Sequence, residues 1–144
     1  GLTAHCRSVR ADLVVTLFSQ KTESEHFTSR AAAIPGVDYF GYDGNLAPES
    51  FFHEEPAWRK YRIDSVWERT KAECAAAGRK TFALVENMLM PKSSLPIYEK
   101  NLDAYLSGEL PDHLAIYYYA HNNEDPEAFH AVTKRLMREH LGRG

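Results

Sequence analysis

This chain has few cysteines, no long apolar run and little net charge. Its 144 residues include two cysteines, Cys6 and Cys74, with no CxxC pair, which predicts two unpaired thiols and no zinc site. The formal net charge of −3 gives no general attraction for nucleic acid or anionic membrane. No apolar run approaches the roughly 20 residues of a membrane-spanning helix. The chain is therefore expected to be soluble, with neither nucleic acid nor membrane as a partner.

The start of the chain leaves the cellular compartment open. It lacks the basic, apolar and small-residue order of a signal peptide, and it begins with Gly1 instead of Met, as expected if a segment precedes it. Residues 1–10 resemble the tail of a helix whose preceding strand is missing. With 44% hydrophobic residues, the sequence predicts a single α/β domain over residues 1–144.

Four short and nearly continuous apolar segments alternate with helical patterns. They are "LVVTLFSQ" (13–20), "VDYFGYD" (37–43), "TFALVEN" (81–87) and "LAIYYYA" (114–120). Such runs are typical of parallel strands that are covered on both faces. Helix starts are indicated by Thr22 with Glu25, a possible capping box, and by Asp125 followed by Pro126. The predicted order is βαβαβαβα.

Two architectures fit this order, a doubly wound open sheet and part of a (β/α)8 barrel, and both bind ligands at the carboxyl ends of their strands. No GxGxxG or GxxxxGK[ST] motif follows a predicted strand, which disfavours a nucleotide-binding sheet. Because a complete barrel takes roughly 250 residues, four units form about half of one. The sequence therefore favours the C-terminal half of a TIM-type barrel.

Polar and aromatic side chains gather at the predicted strand ends. The candidates for substrate binding are Gln20, Tyr42, Asn45, Asn87, Tyr119, His121 and Asn122, with Asp43 and Glu86 as candidate catalytic carboxylates. Amides and carboxylates bind sugar hydroxyl groups, and aromatic rings cover the apolar face of a sugar ring. This composition predicts a site for a carbohydrate or another small polar ligand.

No cofactor and no metal ion are predicted. The segment "FHEEPAW" at residues 52–58 is the nearest approach to a metal motif, but HExxH would require a histidine where the chain has Ala57. A solvated, charged loop is the simpler interpretation of His53, Glu54 and Glu55.

Three segments, "DYFGYDGN", "FALVENM" and "HLAIYYYAHNNEDPEAF", resemble the last strands of a (β/α)8-barrel glycoside hydrolase-like superfamily. In that superfamily a barrel strand ends in an acidic or aromatic residue, and the final helix begins at a DPE-type cap. The resemblance covers about residues 13–141 and implies strands five to eight of a carbohydrate-active barrel. It also implies a missing N-terminal half-barrel as a partner, whereas exposed sheet edges suit pairing with a second copy of the chain.

Asp43 and Glu86 are the natural catalytic pair, because glycoside hydrolysis needs two carboxyl groups and these two end consecutive predicted strands. Neighbouring parallel strands lie about 4.8 Å apart. Side-chain alternation argues against the pair: if Phe82 and Leu84 face the helices, Glu86 does so too, and Asn87 faces the centre instead.

Structural interpretations compete with this one. Asp43 in "YDGN" fits a turn or an Asx cap, Glu86 fits a salt bridge, and Tyr117 and Tyr118 fit packing in the barrel wall. The alternative function is therefore a small, non-catalytic α/β domain that binds a ligand or a partner. Oligomeric state distinguishes the two functions. A half-barrel leaves two parallel sheet edges unpaired, so a dispersed monomer would favour the non-catalytic α/β domain.

Overall fold

One sheet of four parallel strands organises the molecule. The structure, a computed structural model, describes residues 1–20, 30–47, 62–87, 89–118 and 123–142. The strands are β1 (Thr16–Gln20), β2 (Tyr39–Asn45), β3 (Lys80–Asn87) and β4 (His113–Tyr118). They lie in the order β1-β2-β3-β4, and each neighbouring pair is parallel. The prediction of four parallel strands in sequence order is confirmed. A doubly wound sheet reverses its strand order at a switch point, and the described strands show no reversal.

Strand β2 is longer at its carboxyl end than the sequence predicts. It continues past Asp43, because Gly44 pairs with Val85 and Asn45 pairs with Glu86 of β3. The prediction that the strand ends at residue 43 is therefore wrong. Asp43 lies within a paired strand, so it is not a turn residue.

Four helices are described over their full length. They are α1 (Leu2–Val9), α2 (Trp67–Ala77), α3 (Leu95–Leu106) and α4 (Pro126–Leu141), and a 3-10 turn (Ile63–Val66) precedes α2. Helix α4 begins as predicted, since the Asp125 carboxylate accepts a hydrogen bond from the Ala128 amide. It ends at Gly142, whose φ of 61° is in the left-handed region that glycine adopts without steric cost.

The helix predicted between the first two strands is described only in part. The helical pattern between the first two strands runs to Ala33. Of this pattern the structure describes residues 30–33, of which 30–32 are helical, whereas Thr22 and Glu25 lie outside the described residues. Among the described helices, none combines the length and apolar character needed to cross a bilayer.

The two faces of the sheet differ. On one face, here called the helix face, the Tyr42 hydroxyl donates to Glu73 of α2 at 2.6 Å, and Asn87 donates to the Tyr98 hydroxyl of α3 at 3.2 Å. The main apolar core lies there. It includes Phe40, Val85, Leu102, Phe129 and Leu136, all buried.

The opposite face, here called the open face, carries a row of aromatic side chains. The strand register aligns Phe18, Gly41, Phe82 and His113 across all four strands. Ring centroids lie 6.1 Å apart for Phe18 and Phe82, and 5.5 Å apart for Phe82 and His113. Phe18 is nevertheless 47% exposed. Phe82 is only 6% exposed, so solvent reaches this face at the edge strand β1 and not at the centre of the aromatic row.

An ion pair at the amino-terminal edge ties α1 to the sheet. The guanidinium of Arg7 donates to both carboxylate oxygens of Asp38, at 2.5 and 2.7 Å, and the Val15 amide donates to the same carboxylate at 2.8 Å. The Val15 amide and then Arg7 hold the pKa of Asp38 below its ordinary value of 3.8. Asp38 thus joins α1, the start of β1 and the start of β2.

The stability of the protein at acidic pH should depend on this ion pair. Because the pKa of Asp38 is lower in the folded state, its stabilising effect is present above 3.8 and is lost as the pH falls through the folded value. We expect a higher urea midpoint for the wild type than for Asp38→Asn near neutral pH, with a difference that narrows below pH 3.8. Asp12→Asn is the control, since Asp12 and Arg10 form an exposed local pair. An equally large difference at about pH 2 would contradict the assignment.

Both cysteines are unpaired, as predicted. Cys74 is buried beneath the sheet, where its sulfur lies 3.2 Å from the Phe40 carbonyl oxygen. Burial raises the pKa of this thiol to about 11, so it stays protonated at neutral pH. Cys74 is a packing residue.

Candidate functional site

Asp43 and Glu86 lie on the same face of the sheet. Asp43 pairs with Leu84 in the β2–β3 register, and Glu86 follows Leu84 by two residues. Paired residues of parallel strands project to the same face, and so do residues two apart on one strand. From a strand spacing of about 4.8 Å and a rise of about 3.3 Å per residue, we estimate that their Cα atoms are about 8 Å apart.

The structure decides the question of which way Glu86 points. The sequence predicts correctly that Glu86 shares a face with Phe82 and Leu84, but that face is not the one covered by helices. Tyr42, which contacts α2, pairs with Ala83, so the helix face of β3 is that of Ala83 and Asn87. Glu86 therefore projects to the open face with Asp43.

The two carboxylates are partly shielded from water. Asp43 is only 7% exposed, whereas Glu86 is half-buried, and both interact with other groups of the protein. Charges in such partly shielded positions interact more strongly than they do at a solvated surface.

Tyr117 is a further candidate for the site, which the sequence does not indicate. It pairs with Glu86 in the β3–β4 register, so its ring projects to the open face next to that carboxylate. It is 41% exposed, although the sequence suggests wall packing. The available signal is its even spacing from His113 along β4, which becomes informative only when the register with β3 is known.

Three of the predicted ligand-binding residues belong to the protein interior. Tyr42 is fully buried on the helix face, with Arg69 lying 5.8 Å above its ring. Asn87 is fully buried on the same face, and Asn45 is fully buried between the ends of β2 and β3. Tyr42 and Asn87 therefore lie on the helix face, whereas Asn45, which pairs with Glu86, shares the register of the open face but is fully buried and bonded to the Glu86 carbonyl.

The remaining predicted residues are only partly covered by the description. Gln20 pairs with Asp43 in the β1–β2 register, which places its backbone beside the site. Tyr119, His121 and Asn122 lie outside the described residues, as does the segment that contains His53. Among the residues that the structure describes, no three His, Cys, Asp or Glu side chains cluster as metal ligands would.

Several cavities lie at the other end of the sheet. One of about 470 Å³ is lined by residues that include His113, Leu114 and Met137, and another of about 340 Å³ is lined by residues that include Asp38 and Lys80. Neither is lined by a candidate catalytic residue. In α/β folds, ligands bind at the carboxyl ends of parallel strands, so the carboxylate pair is the better candidate.

The fold defines an α/β protein with a four-stranded, all-parallel sheet in sequence order. Comparison with known proteins adds no relative: the chain matches no family model, no curated protein and no solved structure.

Proposed function

We propose that this chain forms the C-terminal half of a TIM-type (β/α)8 barrel of the glycoside hydrolase-like kind, and that it acts on a carbohydrate through Asp43 and Glu86. One observation carries the proposal. The two carboxylates project from neighbouring parallel strands to the same face, near the carboxyl ends where such barrels bind their ligands.

The half-barrel is supported by the order of the strands in the sheet. Strands in sequential order with crossovers of the usual right hand have their connecting helices on one side, as in a barrel wall, and α2 and α3 both contact the helix face. Parallel sheets are almost always covered on both faces. On the open face Phe18 and Tyr117 of the edge strands are exposed, whereas Asp43 and Phe82 of the central strands are buried. Among the described strands, β1 and β4 lie at the two edges of the sheet. Four further parallel strands would pair with both edges and cover this face.

The chemistry requires one carboxyl group that protonates the glycosidic oxygen and a second that attacks the sugar or activates water. With Cα atoms about 8 Å apart, the carboxyl groups can adopt the separation of about 5 Å of retaining enzymes or the roughly 6.5–9.5 Å of inverting enzymes. Tyr117, next to Glu86, offers an aromatic ring to the apolar face of the sugar.

A panel of aryl glycosides tests the proposal on the full-length protein, which here means the proposed complete barrel that contains this chain. We expect hydrolysis of at least one glycoside by the wild type, retained in Glu127→Gln, a control at an exposed position in α4, and lost in Glu86→Gln. The absence of hydrolysis across the panel would contradict the proposal.

The alternative function, a non-catalytic α/β domain that binds a ligand or a partner, is favoured by one observation. Asp43 is almost fully buried and interacts within the protein, which also suits a structural carboxylate. In this alternative the isolated chain needs no second sheet.

Self-association of the isolated 144-residue chain distinguishes the two functions. A half-barrel with an exposed aromatic face should associate, so light scattering should give a mass above the 16.4 kDa of the monomer. Phe18→Lys places a charge on the open face and should shift the mass towards the monomer. Ile34→Lys, at a similarly exposed residue outside the strands, should not. A wild-type chain that is a dispersed monomer would favour the alternative.

A further inference from the structure

Two buried asparagines flank the Glu86–Asn87 segment at the carboxyl end of β3. Asn45 ends β2 and is fully buried, whereas Asn123 follows β4 and is 8% exposed. They approach the end of β3 from its two neighbouring strands. We call Asn45 and Asn123 the asparagine clamp.

Each member of the clamp donates a hydrogen bond to a backbone carbonyl of β3 and accepts one from a backbone amide elsewhere. The side-chain amide of Asn45 donates to the Glu86 carbonyl at 3.0 Å, and its oxygen accepts from the Ala47 amide at 2.5 Å. The side-chain amide of Asn123 donates to the Asn87 carbonyl at 3.3 Å, and its oxygen accepts from the Met90 amide at 2.9 Å. Two consecutive backbone carbonyls of β3 are therefore held from opposite sides.

A third buried group supports the same segment. The Asn87 side chain donates to the Tyr98 hydroxyl, which also bonds the Thr133 hydroxyl at 2.8 Å. Because α3 and α4 hold these two hydroxyls, the Glu86–Asn87 segment is fixed from the helix face as well. Glu86 precedes Asn87 on the same strand, so its side chain projects to the opposite face of the sheet. Restraint of this backbone therefore determines where the Glu86 carboxyl group points.

We propose that Asn45 and Asn123 are positioning residues, which hold the backbone of Glu86 so that its carboxyl group projects into the open face in one orientation. The proposal rests on the proposed function for the role of Glu86 as acid, base or nucleophile. Displacement of a catalytic group by about 1 Å can cost about 10²-fold in rate, which gives such a clamp a catalytic purpose.

The substitutions Asn45→Asp and Asn123→Asp test the clamp in the full-length protein. Each keeps the acceptor for the Ala47 or Met90 amide but removes the donor to the β3 carbonyl when the new carboxyl group is ionised. We expect kcat for the responsive glycoside to fall at least about tenfold at neutral pH, with KM within about twofold. At acidic pH the new carboxyl group regains a proton and can donate again. The kcat of Asn45→Asp should then recover relative to that of Asn45→Ala, whose side chain can neither donate nor accept.

Asn101→Asp is the matched control. Asn101 of α3 donates to the Leu46 carbonyl at 2.7 Å, so this variant loses the same kind of bond without touching β3. It should retain the wild-type kcat and pH profile. An equal loss of kcat in the control would overturn the proposal, because a general loss of loop structure would then explain the effect.

Amide hydrogen exchange provides a readout that does not depend on activity. We expect the amides of Glu86 and Asn87 to exchange at least about tenfold faster in either clamp variant, and at the wild-type rate in Asn101→Asp. Unchanged exchange in both clamp variants would overturn the clamp. If the wild type hydrolyses no glycoside, the proposed function fails, whereas exchange still decides whether the clamp restrains Glu86. If neither clamp variant folds at neutral pH, the asparagines are structural and the positioning role is refuted.

Discussion

Asp43→Asn and Glu86→Gln should each lower kcat for a hydrolysed aryl glycoside by about 10²–10⁴-fold in the full-length protein, the range expected for loss of a general acid or base. The carboxamide keeps the shape of each side chain but can neither transfer the proton nor attack the sugar. The loss should appear mainly in kcat, since neither substitution removes much binding surface. Steady-state kinetics of the two variants, beside Glu127→Gln, measure it.

The folded state should survive both substitutions. Glu86 is half-buried at the end of β3, and Asp43→Asn replaces one planar group with another of nearly equal volume. We therefore expect melting temperatures within about 4 °C of the wild type, which corresponds to a change in stability below about 1 kcal/mol. Full activity in both variants would contradict the catalytic assignment. A large fall in melting temperature would show that the carboxylates are structural.

Gly41→Ala should be the most destabilising single substitution that we propose. A Cβ atom at Gly41 would lie 1.7 Å from the carbonyl oxygen of Phe82 and 2.5 Å from its carbonyl carbon. These are backbone atoms of the neighbouring strand, so they cannot move without disturbing the β2–β3 ladder. We expect the free energy of unfolding to fall by about 3 kcal/mol or more. Urea unfolding followed by circular dichroism measures this loss.

Gly108→Ala is the control for this prediction. A Cβ atom there would have its nearest contact at 3.5 Å, an ordinary distance to the Tyr105 carbonyl oxygen. Its free energy of unfolding should change by less than about 1 kcal/mol. Wild-type stability of Gly41→Ala would contradict the close approach of β2 and β3 that places Asp43 and Glu86 on one face.

The fold could be predicted from sequence where one local signal dominates. Buried parallel strands appear as apolar runs, and Asp125 before Pro126 marks the start of α4 because both the cap and the proline act locally. The carboxyl end of β2 could not be predicted in this way. Gly44 and Asn45 favour turns, but their pairing with β3 is a tertiary interaction that outweighs the local preference.

The candidate site shows the same division between local and tertiary information. Asp43 and Glu86 are recognisable as carboxylates near strand ends. The face to which Glu86 projects was not predictable, because apolar residues occupy both faces of β3. Tyr42 and Asn87 resemble ligand-binding residues in sequence, but their partners Glu73 and Tyr98 are contributed by helices, 31 and 11 residues further along the chain. Such partners are visible only in the folded structure.

Chemical-shift mapping tests the central claim most directly, because it locates the binding site without requiring turnover. Soluble cello-, xylo- and malto-oligosaccharides would be titrated into the ¹⁵N-labelled full-length protein. The proposed site predicts saturable shifts of the Asp43, Glu86 and Tyr117 amides, with the amides of α2 and of the amino-terminal strand ends unchanged. Saturable shifts confined to the helices or to the amino-terminal edge, or no saturable shift with any oligosaccharide, would contradict a carbohydrate site at these carboxylates.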